Sequence, residues 1–186
     1  MEPERVTTGH DGTVRIAMRL GRINQLFNSL DPSPFHEKDL DADAEEFIVA
    51  SAREQPGHRP IVIVIHLPPE EAAGADAGQV RASIRNYFRY REDVSWRQLR
   101  YVLRLGRVRL LIALGLLFAC VVLRELLGQA NSNPFTRVLS EGLLIGGWVA
   151  MWQPAQTFLY DWWPLRESCK VLRRLGQAGV EIRAEP

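Results

Sequence analysis

The stretch Leu110–Tyr160 constrains this chain most, because it holds two long apolar segments joined by a short polar loop. Leu110–Leu123 (LLIALGLLFACVVL) carries no charge. A helix needs roughly 20 residues to cross a hydrocarbon core of about 30 Å. This run reaches that length when Arg109 and Arg124 snorkel to opposite headgroup layers. Gly142–Tyr160 is uncharged and long enough alone, and Tyr160, Trp162 and Trp163 at its exit match an interfacial aromatic belt. The expectation is a transmembrane hairpin over 108–163, with spans at about 108–127 and 141–160. A buried core hairpin is the alternative, kept open by Glu141 and Gln153.

The flanks predict orientation. Arg97, Arg100, Arg104, Arg107 and Arg109 precede the first span; Arg166, Lys170, Arg173 and Arg174 follow the second. The loop Gly128–Arg137 carries only Arg137. Basic residues stay on the cytoplasmic side, so both termini are expected in the cytoplasm and the loop outside. Met1–Asp11 is polar with no apolar core, which leaves the first span to act as its own insertion signal. Apart from Lys38 and Lys170 every Lys/Arg cation is arginine, a bias that with abundant Ala, Gly and Pro suggests a GC-rich bacterial genome. The expected location is therefore a bacterial inner (plasma) membrane, with the chain multi-pass.

Small residues suggest how the spans touch. Gly142, Gly146 and Ala150 recur every fourth residue, as do Gly115 and Ala119. Such faces let backbones approach closely, the main attraction available between helices in lipid. The predicted contact sets Ala119 at the depth of Gly146 and Gly115 near Ala150.

Around the hairpin the pattern is α/β. Residues 1–12 read as a flexible tail. Thr13–Leu20 alternates as a half-buried strand, and Pro60–His66 is apolar on both faces, as a central strand requires. Asp41–Glu54 reads as a helix capped by Asp39 or Asp41. A further helix starts near Ala75, breaks near Asp93, and restarts at the capping-box pattern Ser95-Trp-Arg-Gln98 to run along the headgroups. Leu165–Leu175 is amphipathic, and Val180–Arg183 alternates as a last strand. The fold class predicted is a small cytoplasmic three-stranded, mainly parallel sheet with helices, interrupted by the hairpin. Its parts are residues 13–107 and 164–186.

Four stretches carry a resemblance: Phe27-Asn-Ser-Leu-Asp-Pro-Ser-Pro-Phe35, Asp39-Leu-Asp41 leading into Glu46-Phe-Ile-Val49, Ser140-Glu-Gly-Leu-Leu144, and Tyr160-Asp-Trp-Trp-Pro164. Together they resemble a widespread family of uncharacterised two-span proteins of bacterial inner membranes. The resemblance implies that class and carries no activity.

Candidate chemistry is sparse. Asp39-x-Asp41-x-Asp43 begins like a calcium loop and then fails, because Ala44 replaces the glycine and Ala50 the bidentate glutamate. Asp31, His36, Asp39, Asp41 and His66 form the candidate ligand site, against the simpler reading that the acids complement a helix N-terminus. His66 ends the central strand, yet no phosphate loop follows and no nucleophile stands near a base at motif spacing. No metal, cofactor or catalytic residue is assigned. Cys120 lies mid-membrane and Cys169 in the cytoplasmic flank, so no disulfide is expected.

Arg97, Arg100, Arg104 and Arg107 are candidate contacts for anionic lipid headgroups. Nucleic acid fits poorly, because the basic patch abuts the membrane and the first 80 residues are acidic overall. The expected partners are the bilayer and either a second copy of the chain or another membrane protein. The expected function is interaction or assembly at the membrane through the cytoplasmic domain, without catalysis. The alternatives are a ligand- or metal-binding sensor or enzyme using the Asp31–Asp43 loop near His66, and an oligomeric transport element using Gln153 and Gln156.

Overall fold

Ile61–Leu67 is the middle of the soluble unit because nearly every residue in it is apolar and both of its edges are paired. The computed structural model describes residues 2–9, 12–29, 38–130 and 134–185. Four strands lie in the order β1 (Glu2–Thr8), β2 (Val14–Arg19), β3 (Ile61–Leu67) and β4 (Gly179–Ala184). β3 pairs in parallel with β2 on one side and with β4 on the other.

The sheet thus has four strands where three were expected. Residues 2–8, assigned to a flexible tail, form an edge strand antiparallel to β2, with a register shift between Pro3 and Val6. An edge strand tolerates proline and charge, since one row of its backbone groups faces solvent.

Three helices pack on the sheet's buried face. α1 (Ala42–Arg53) contributes Ala44, Ile48 and Ala52 to a core with Val14, Ile16, Met18, Ile61, Ile63 and Ile65. α3 (Ala77–Ala130) adds Val80, Ile84 and Phe88 from its first turns, and α5 (Trp162–Leu175) adds Val171, Leu172 and Leu175. A short α2 (Pro69–Gly74) follows β3 directly, with proline at its start. Glu45 ties α1 to α3, accepting a hydrogen bond from the Tyr87 hydroxyl (2.5 Å) and pairing with Arg91 (2.6 Å).

α3 is a single helix of 54 residues, so the break expected near Asp93 does not occur. Neither proline nor glycine interrupts Gln79–Leu105, and Ser95 simply sits within the helix. A segment turning to lie along the headgroups is excluded with it. Among the described residues α3 is the one helix long and apolar enough, by length and composition, to cross a membrane.

The chain divides into two units, residues 1–95 with 167–186, and residues 96–166. In the second unit α4 (Pro134–Gln156) runs antiparallel beside α3: Gly147 meets Leu117 and Cys120, and Gly106 meets Thr157 and Phe158. A π-helical turn, Thr157–Asp161, joins α4 to α5. It follows Pro154, which has no N–H for the ladder, and the Thr157 hydroxyl donates back to the Gln153 carbonyl at 3.3 Å.

Candidate functional site

Parallel strands bring their carboxyl ends to one edge, where α/β sheets commonly bind ligands. Here that edge carries Arg19 at the end of β2, His66 near the end of β3 and Glu185 just after β4. Register sets Arg19 beside His66 and His66 beside Arg183. Backbone bonds from Leu20 N–H to His66 O (3.0 Å) and from Glu185 N–H to Leu67 O (2.9 Å) hold the edge closed.

The Arg19 guanidinium donates to both Glu185 carboxylate oxygens, through Nε at 2.7 Å and through Nη2. That bond holds the Glu185 carboxyl below its ordinary range. His66 Nδ1 stands 3.9 Å from the same carboxylate, half-buried in a cleft of about 390 Å³ floored by Gly21, Leu67, Pro68 and Pro69. A second cleft, of about 650 Å³, shares Arg19, Leu20 and Gly21 and is lined further by Asn24, Gln25, Asp41 and Asp43.

The expected ligand set is not assembled. Asp41 and His66 line different clefts, and Asp31 and His36 lie outside the described residues. Asp41 caps α1, its carboxylate accepting from the Asp43 N–H at 3.1 Å, and the Asp39 carbonyl accepts from the Asn28 N–H at 2.8 Å. Among the described residues no three His, Cys, Asp or Glu side chains converge on a cation position. Glu185 went unnoticed in the sequence. The signal for it was the Val180–Arg183 strand, whose parallel pairing with β3 runs on to Ala184 and delivers Glu185 to the His66 edge.

In the second unit the two helices meet on a face other than the one expected. A β-carbon added to Gly115, Gly142 or Gly146 would touch nothing within 4 Å, and Ala119 is exposed. The close approach is at Gly147 and Gly106 instead. Buried or half-buried positions run Leu99, Leu103, Gly106, Leu110, Ala113, Leu117 and Cys120 along α3, alternating steps of four and three. Leu143, Gly147, Ala150 and Pro154 are buried or half-buried at the same spacing on α4. That alternation is the spacing of a left-handed helix pair.

Outside this seam the helices are apolar and open: Leu111 is 70 % exposed, Phe118 71 % and Trp148 67 %. Arg97, Arg100, Arg104 and Arg107 are all exposed on α3. On a continuous helix Arg97 stands about 15 Å along the axis from Arg107. Gly106 lies level with Thr157, which brings Arg104 and Arg107 near the height of Tyr160. Trp162 stacks on Trp163 and carries the Arg166 guanidinium 5.6 Å from its ring centre.

An α/β unit whose chain leaves through a long apolar helix and returns is the class these features define. Comparison with known protein families, curated proteins and solved structures finds no match.

Proposed function

We propose that this chain is an integral protein of a bacterial inner membrane that crosses it twice, through α3 and α4, with both termini in the cytoplasm. Its α/β unit serves interaction or assembly at the membrane, not catalysis. One observation carries the reading: only 11 % of the most apolar stretch of α3 is buried. A core helix of a soluble protein would be mostly covered, and a signal sequence would lie near the start of the chain.

α4 supports a second span, since Val149 and Trp152 also face outward beside Trp148. A contact at Gly147 suits lipid, where close backbone packing replaces the hydrophobic effect as the attraction between helices. Basic residues at the inner end agree with the positive-inside rule. Arg104, Arg107 and Arg166 are the headgroup contacts in this arrangement, each worth on the order of 1 kcal/mol near an acidic leaflet. Arg97 stands too far along α3 to share the layer.

Alkaline carbonate extraction of membranes tests the reading. The chain is expected in the pellet, released only by detergent; recovery in the carbonate supernatant would contradict it.

A further inference from the structure

At the amino ends of the parallel strands, opposite the His66 edge, lies a cleft of about 490 Å³ whose lining contains no acidic residue. Two arginines line it, Arg59 and Arg174, with His58 beside them. Arg174 donates to three backbone carbonyls, Ala52 (3.4 Å), Pro56 (3.0 Å) and Arg59 (3.1 Å). Those carbonyls fix the guanidinium without cancelling its charge, and its Nε is buried with no partner.

Arg81 reaches the same wall, and Arg15 lies in the strand beside it. Arg15 stands opposite Val62 in the sheet, Val62 stands opposite Gly179, and both Val62 and Gly179 line the cleft. The Arg15 Nε is likewise buried without a hydrogen-bond partner. Gly179 is closely approached: a β-carbon there would sit 3.2 Å from Val62 Cγ2, tighter than an ordinary contact, and 3.7 Å from Arg81 Nη2. The guanidinium groups of Arg59 and Arg174 thus line one open cavity, and that of Arg81 reaches Gly179 on its wall. Like charges so placed repel unless an anion lies among them.

We infer that this cleft is an oxyanion site that takes a phosphate group, held by Arg59 and Arg81 over a base set by Arg174. Guanidinium forks match phosphate oxygens, and such charge-assisted bonds are about twice as strong as neutral ones. The phosphate belongs either to a small soluble ligand or to an anionic phospholipid headgroup; the chemistry of recognition is the same. The proposal is independent of the membrane reading, because every residue it uses lies in the α/β unit.

The test is thermal unfolding of the full chain in a phosphate-free neutral detergent. Inorganic phosphate is titrated against sodium chloride of equal ionic strength, and short-chain phosphatidylglycerol against short-chain phosphatidylcholine. Saturable stabilisation by phosphate marks a soluble ligand; stabilisation by phosphatidylglycerol alone marks a headgroup. In either case Arg59→Ala and Arg81→Ala should each weaken the apparent affinity on the order of tenfold. Arg97→Ala, outside the α/β unit, should leave it unchanged. Arg174 is not substituted here, because its loss would disturb the fold. If neither probe stabilises the parent beyond its control, or if the response survives in the Arg59→Ala, Arg81→Ala double variant, the site does not exist.

Discussion

Gly147 packs against Leu117 so closely that a β-carbon added to it would lie 2.8 Å from Leu117 Cδ1 and 3.4 Å from the Leu117 α-carbon. Gly146, one residue earlier, faces open space. Adjacent glycines therefore carry opposite expectations. Gly147→Leu should force α3 and α4 apart and cost about 2–3 kcal/mol, as overpacking does. Gly146→Leu should leave the melting temperature nearly unchanged in dilute detergent. Equal melting of both variants would place the contact elsewhere.

The choice between those glycines was not legible in the sequence. Both faces of α4 are apolar, so hydrophobicity gives no preference, and a four-residue repeat of small residues selects Gly142, Gly146 and Ala150. The observed seam alternates three and four, through Leu143, Gly147, Ala150 and Pro154. β2, β3 and β4 were legible because alternation or a doubly apolar run marks them. β1 was hidden, since Glu2, Pro3, Glu4 and Arg5 suit an exposed edge as well as they suit a tail. Of the candidate site, His66 at a strand end was readable from its position. Its partners Arg19 and Glu185 come from strands far apart in the chain, and only the parallel pairing brings them together.

Tyr87 should titrate late. Burial, then its hydrogen bond to Glu45, raises the phenol well above its ordinary value. The unfolded chain releases that proton near pH 10 while the folded chain retains it. The contribution to stability is thus complete below about pH 10 and is lost as the pH climbs toward the raised value. Ultraviolet titration should show a late phenol phase, and Tyr87→Phe should abolish that late phase. Persistence of the late phase in Tyr87→Phe would assign it to another residue.

Arg174 should be a stability residue as well as part of the basic cleft. It is the donor for the Ala52, Pro56 and Arg59 carbonyls, which connect the end of α1 to the start of β3. Arg174→Met keeps the apolar stem and removes the fork, at a cost of about 2–3 kcal/mol. Denaturant unfolding measures it. Arg173→Met, on the exposed side of the same turn, should change stability little.

The two-span account is tested most directly by which side of the membrane each part of the chain occupies. Cys120 and Cys169 are replaced by serine, and single cysteines are placed at Gln55, Ser132 or Glu185. Intact spheroplasts are then treated with a membrane-impermeant maleimide. Ser132→Cys should label from outside, while Gln55→Cys and Glu185→Cys should label only after permeabilisation. Labelling of Glu185→Cys from outside with Gln55→Cys protected would mean a single crossing, and would contradict the account.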